Sequence, residues 1–414
     1  MPTVDNPTLI RCADRERLGA ALVDSRADTL RTFAAYERSL GATGLRVPYS
    51  PELNPPLWEL GHVGWFQEHW IGRNPQRLRG ITADPDAPRT ASILADADAL
   101  FDSGRVEHAT RWRLPLPDAA ATRDYLSRTL EQTLRILAQS DGDAHGQLYF
   151  AWLALVHEDM HHEAALYMAN ALGIGLEVDP PKPVETTAAD PKELVFDAMR
   201  FRLGSVAGDL AFDNELMPHW VEVAGFRIDR GPVDNRAFAA FVAAGGYEEP
   251  GHWTADGWAW RLRHDARWPR GWRPQGSRWQ HRWFGQWRDL DEAASVTNLS
   301  LHEARAWCRW AGRRLPTEPE WEVAALATPA APPATGPIRF GLVWEWTASS
   351  FQPYPGFVAH PYREYSLPWF GARQVLRGAS FATHPRMHHP RYRNFFEAGR
   401  NDIFAGFRSC APAA

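Results

Sequence analysis

The stretch LVHEDMHHEAALYM gathers His157, His161, His162 and Glu163 within two turns of a prospective helix. His157 and His161 are four residues apart, so on a helix their rings project from one face, about one turn apart. Two imidazoles at that spacing can hold one metal ion while the backbone stays helical. An earlier stretch, PPLWELGHVGWFQ, offers His62 as a third candidate in apolar and aromatic surroundings that point it into a bundle interior. Taken alone, a histidine such as His62 is more often a satisfied core residue than a ligand, and His162 reads as a solvated neighbour of the ligands.

Spacing does not choose the metal. HEDMH fits the HExxH pattern of zinc peptidases, with Glu158 as general base, but the HExxHxxGxxH extension is absent. Three neutral histidines with open positions equally suit iron(II) that must bind O2 and a substrate.

The elements that must position these residues are legible as apolar periodicity. Asp14–Arg38, Asp118–Ser140 and Gly146–Gly173 carry apolar residues at three- and four-residue steps, and Pro55–Trp70 reads as a fourth helix. Gly173 is a plausible C-cap. Four amphipathic helices joined by loops predict an antiparallel bundle over 1–177. Residues 178–193, rich in Pro, Thr and charge, read as a linker. The second domain, 194–414, has short apolar stretches broken by Gly, Pro and Trp, with helices predicted at DNRAFAAFVAAGG and SLHEARAWCRWAG.

Composition narrows the class further. The 414 residues are 44% hydrophobic and 23% charged, a globular range, and no apolar run reaches the length of a membrane span. A net charge of −5 gives a nucleic-acid partner no electrostatic support. Cys12, Cys308 and Cys410 form no CxxC pair, which argues against a disulfide framework and a thiolate zinc site. MPTVDNPTLIRCADRE lacks the order of a secretion signal, so a cytoplasmic location is expected. Most of the 20 tryptophans lie after residue 250, predicting an aromatic-rich second half.

That second half resembles the formylglycine-generating-enzyme-like sulfatase-modifying domain, in FRIDRGPVDNRAFAAFV, VTNLSLHEARAWCRWAGRRLPTEPEWEVAA, LVWEWTASS, VLRGASF and AGFRSC, in that order. The resemblance implies an irregular C-type-lectin-like mix of short strands and helices, giving an α+β chain overall. Formylglycine generators act through a C-terminal cysteine pair; only Cys410 lies in that region, which argues against their activity. The first half looks like a DinB-type four-helix bundle, through PPLWELGHVGWF and HEDMHHE. Together the two halves resemble the ergothioneine-biosynthesis sulfoxide synthases. That resemblance implies iron held by His62, His157 and His161, O2 as co-substrate, and attack on the C2 carbon of hercynine, a trimethylated histidine. Aromatic faces suit a trimethylammonium group; Trp369, Phe370, Tyr392, Phe395 and Phe396 are candidates.

Three departures from the family bear on the chalcogen donor. Phe351 stands where synthases using glutamyl-cysteine have a catalytic tyrosine; Tyr354 heads the substitutes, with Tyr167, Tyr362 and Tyr365 as others. Met160 replaces a glutamine just before the second helical histidine. Asn394 and Arg400 fit the substrate-binding pattern, with Arg393 beside them, but Phe396 replaces an aspartate expected to read the donor's amine. A stretch holding donor carboxylates is also missing between residues 75 and 115. The chain resembles more the sister branch, the selenoneine synthases, which take a selenosugar and hercynine. Cysteine or glutamyl-cysteine as donor is the alternative, and an HExxH zinc hydrolase or a non-catalytic ligand-binding protein are rivals of other classes.

Overall fold

The computed structural model describes residues 7–140, 145–181, 192–206, 210–327 and 338–412. A short helix, α1 (Pro7–Arg11), precedes α2 (Arg15–Leu40), whose first turn is closed by the Asp14 carboxylate accepting the Arg17 N–H. α3 (Pro56–Gln67) starts on a proline, where a helix has no partner for an N–H, and continues into one π turn, Glu68–Gly72. After α4 (Ala97–Phe101), α5 (Ala119–Ala138) is capped by Asp118. α6 (His145–Leu172) ends at Gly173, whose φ of +74° lets the Ile174 N–H turn back to the Ala169 carbonyl. α2 packs on α6 and α5, and α3 packs on the same two helices, which makes the bundle.

The second domain is built from small sheets. β1 (Glu193–Phe196) and β2 (Met199–Leu203) pair antiparallel with β4 (Phe226–Asp229) and β3 (His219–Val223), respectively. α7 (Asn235–Ala243) and α8 (Ala255–Arg263) lead to a three-stranded antiparallel sheet of β5 (Trp272–Gln275), β6 (Arg278–Trp283) and β7 (Gln286–Asp289). α9 (Leu301–Trp310) and α10 (Glu318–Leu326) each open with a capping box, Ser300 with Glu303 and Thr317 with Glu320. The last sheet has the order β10 (Asn394–Phe396), β9 (Gln374–Gly378), β8 (Trp344–Ser350), β11 (Ala405–Phe407), with only the β8–β11 pair parallel. Cys12, Cys308 and Cys410 are all unpaired.

The linker expected over 178–193 falls mainly on 182–191, outside the described residues. Its first residue already packs on the second domain, because the Trp283 indole donates to the Val178 carbonyl at 2.6 Å. The domains share one apolar core, in which Trp152 of α6 lies 5.1 Å from the Phe212 ring. Glu163 of α6 adds a polar anchor, accepting hydrogen bonds from Trp344 Nε1, Ser380 Oγ and Thr383 Oγ1 at 2.8, 2.6 and 2.8 Å. Among the described residues, no helix is long and apolar enough to cross a membrane.

Candidate metal centre and its cavity

α3 and α6 bring His62, His157 and His161 together, with one ligand atom from each lying within 4.8 Å of the others. Two of the rings have their inner nitrogens engaged. His62 Nδ1 lies 2.7 Å from the Phe101 carbonyl, which can only accept, so this nitrogen carries the proton and Nε2 keeps a free lone pair. His161 Nδ1 lies 2.5 Å from Glu59 Oε2, with the same consequence, and Asn54 donates to the other Glu59 oxygen. His157 Nε2 is buried with no hydrogen-bond partner among the described residues, an arrangement that costs about 1–3 kcal/mol unless something fills it.

Aromatic rings hold two of the three imidazoles in place. His62 stacks on Trp58 at 4.7 Å, and His157 lies flat on Phe66 at 3.5 Å. The glycine before His62 has a steric reason: a Cβ on Gly61 would sit 2.2 Å from the Phe101 ring, which must approach for its carbonyl to reach His62. Burial pushes His62 down to about 3, helped by the neighbouring His161, and burial lowers His157 well below its usual value. Both rings are therefore neutral near pH 7, the ligand form. Burial would raise Glu59, but its contacts with His161, His62 and Asn54 together outweigh it and hold the carboxylate at about 2.

The other residues of the motif have different duties. His162 is half-buried and bonds Thr32 Oγ1 at 2.9 Å, so it is not the solvated neighbour expected. Glu158 is buried in a paired contact with Arg26, at 2.7 and 3.1 Å, and Arg26 also grips Gln67 and the Leu126 carbonyl. A peptidase needs that carboxylate free as a base beside the metal, and here it braces the bundle instead.

The three-histidine cluster opens on a cavity of about 240 Å3 through His157 and His161. Met160, Tyr392, Asn394 and Phe396 from the candidate set line it, as do Tyr167, Tyr362 and Tyr365. The Tyr365 and Tyr392 hydroxyls are 3.2 Å apart, and both lie over Met160 Sδ, at 3.8 and 3.3 Å. Tyr362 meets the His157 ring edge-on at 6.1 Å. Arg400 stands behind this wall, over the Phe396 ring at 5.2 Å, with two N–H groups on Asp402. A second cavity of about 240 Å3 shares the Tyr362 side chain and is lined also by Trp65, His69, Trp70, Asp102 and Ser103.

Besides Arg400 and Phe395, five candidates lie outside the lining of the histidine cavity. Phe351 is fully buried between Phe370 and Phe395, at 4.8 and 4.0 Å. Arg393 spends its donors on Glu318 (2.7 and 3.0 Å) and on the carbonyls of Asn214 and Gln352. Tyr354 packs under Arg393 at 4.0 Å and bonds Glu318. Trp369 donates to the Glu364 carbonyl and is covered by Arg373, and Phe370 packs on Phe357. Sequence reasoning missed Glu59, although its place three residues before His62 puts it on the same helix face. No local signal announces Trp344 or Glu163 as parts of the cavity wall.

A buried three-histidine cluster in a helical bundle, closed by a small-sheet domain, offers the donor set of a non-haem metal site. The sulfatase-modifying factor enzyme 1-like domain matches residues 182–332 and 339–413, and the DinB superfamily matches 21–171. The hercynine oxygenase of Mycobacterium tuberculosis is 34% identical over 439 residues, which cover 95% of this chain and 98% of that protein. That of Mycolicibacterium thermoresistibile is 32% identical, over 95% of this chain and 94% of the relative. The formylglycine-generating enzyme of M. tuberculosis is 31% identical over 37% of this chain and 72% of its own. The chain belongs to the hercynine oxygenase family.

Proposed function

We propose that this protein joins selenium from a selenosugar to the imidazole C2 carbon of hercynine, in a reaction that uses O2 and iron(II). Overall, C2–H and the selenol Se–H lose their hydrogens, one oxygen atom ends on selenium, and the other leaves as water. Iron(II), held by His62, His157 and His161, would supply the redox chemistry that makes O2 reactive. The unpartnered His157 nitrogen and the two preset Nε2 lone pairs support that ligand set.

The protein's own groups would bind and orient. Trp344, Tyr392 and Phe396 offer aromatic faces to the trimethylammonium group, and the Asn394 amide offers a hydrogen bond. Burial raises Tyr365 well above the usual phenol value, so its hydroxyl stays protonated and is the proton donor we assign in place of the group Phe351 lacks. The site would act in a reducing compartment such as the cytoplasm, consistent with three free cysteines.

The observation that carries the choice of donor is the absence of a free cation. No arginine or lysine is among the described residues lining the histidine cavity. In the second cavity Arg105 pairs with Asp102 and Arg363 with Asp86. A dipeptide thiol brings two carboxylates that need such cations. Indole faces with the Asp102 and Ser103 side chains suit a neutral, hydroxyl-rich ring better. Oxygenation of a thiol donor, cysteine or glutamyl-cysteine, is the second reading, because the family resemblance extends to nearly the whole chain.

A mass-spectrometric product assay tests this, using enzyme loaded anaerobically with iron(II), then hercynine, O2 and each donor separately and in competition. Preferential formation of the selenium adduct supports the proposal. A sulfoxide formed preferentially from either thiol returns the chain to the sulfur donors. Turnover that ignores O2 removes the oxygenase reading altogether.

A further inference from the structure

A cavity of about 390 Å3 lies between α9, the turn into α10 and the segment before α8, and shares no lining residue with the two cavities above. Arg305, Arg309, Arg313 and Arg314 line it with His252 and Thr254, and none of its described lining residues is acidic. Two of the four guanidinium groups are neutralised by carboxylates beyond the cavity. Arg313 pairs with Glu193 and Asp229, and Arg314 holds Glu320 at 2.7 and 2.8 Å.

The other two are not neutralised. Among the described residues, Arg309 touches only carbonyl oxygens, of Trp253 at 2.7 Å and Gly251 at 3.4 Å. Arg305 is half-buried and has no hydrogen bond, ion pair or ring contact among the described residues. Burial lowers its pKa, and no carboxylate opposes that shift. Withdrawing a guanidinium from water without a counter-charge is unfavourable, and a rigid fork of free N–H donors is the usual means of gripping phosphate or carboxylate oxygens.

We propose that this cavity is a second ligand site, one that binds a small dianion carrying a phosphate group or two carboxylates between Arg305 and Arg309. Two guanidinium groups without a paired carboxylate, four residues apart on α9, suit two negative charges carried by one ligand. Leu315 and the Cys308 side chain, both almost fully buried, give the floor an apolar patch for a small organic body. β8 links this site to the first cavity, since it contributes Ala348 here and Trp344 there. An occupant would therefore touch the strand that walls the histidine site. The proposal does not depend on which chalcogen donor the enzyme uses.

Calorimetric titration of the iron-loaded enzyme tests it, with inorganic phosphate and with succinate in separate arms, each against sodium chloride of equal ionic strength. Arg305→Gln and Arg309→Gln are titrated alongside, with circular dichroism and iron content recorded for each. Saturable binding of at least one probe, weakened about tenfold or more in both variants at unchanged iron content, is the expected result. The probe that binds identifies the ligand as phosphate or carboxylate. Heats no larger than those of chloride in both arms, or Arg305→Gln binding as tightly as the unaltered protein, would overturn it. If Arg305→Gln misfolds, the exposed Arg309 side chain carries the same test: undiminished binding in Arg309→Gln overturns the proposal.

Discussion

The histidine cluster and the Arg393 guanidinium are both buried, both packed on aromatic rings, and opposite in how their polar atoms end. Around Arg393 the accounts are closed: the guanidinium has two bonds to Glu318 and two to carbonyls, with Phe351 and Tyr354 packed on its faces. Around the histidines, Phe101, Glu59 and the stacked rings fix every orientation, yet a buried His157 nitrogen has nothing to bond. A saturated polar cluster specifies a fold. One that is rigid but unsatisfied is waiting for a ligand.

The strongest way to break this contrast is to remove a histidine. His62→Ala or His161→Ala should reduce bound iron to background and abolish turnover, whereas His162→Ala should retain iron; elemental analysis of purified protein decides. Iron retained by either of the first two would refute the ligand set. Arg393→Ala should act on the other side of the contrast. It takes from the buried Glu318 carboxylate its two-bond partner, leaving Arg377 at 3.2 Å, and should cost up to about 3–5 kcal/mol in denaturant unfolding, while iron content in the folded fraction is unchanged.

Glu59→Gln sharpens the comparison, because it weakens the support behind His161 without touching a ligand. Iron affinity should fall by roughly 10–100-fold in a chelator competition assay. The smallest effect concerns a buried acid with no arginine in contact. Arg393 helps keep Glu318 below the usual carboxylate value despite burial, whereas burial pushes Glu303 up to about 7. The folded protein then holds a proton that the unfolded chain has released above about 4.5, so stability falls as pH rises from about 4.5 to about 7. The slope should be about 1 kcal/mol per pH unit, and Glu303→Gln, which preserves the cap on α9, should flatten it in unfolding curves across that range.

What the sequence revealed follows from distance along the chain. The helices, their caps and the one-turn spacing of His157 and His161 are local patterns, and they stand in the structure within a few residues of where periodicity predicts them. His62 stood out as a third candidate from its apolar surroundings, but its partners lie about a hundred positions away, and resemblance to a family joined the three into one ligand set. The same resemblance put Phe351, Tyr354 and Arg393 among the site residues, although their side chains face a packed layer behind the cavity wall. Glu158 fits a catalytic motif but meets Arg26 at a sequence separation of 132. Motif spacing reports which faces residues share; it is silent on what stands opposite them.

Glu163 sets a limit on traffic. It lies two residues beyond His161, and its three hydrogen-bond donors all belong to the second domain. Prising the domains apart to admit substrate would strand that carboxylate in an apolar seam, which makes domain opening a costly route of entry. It also fixes the registration between the half that carries the histidines and the half that walls the cavity. Wall positions such as Met160 and Phe396 could then vary without disturbing the alignment of the three histidines.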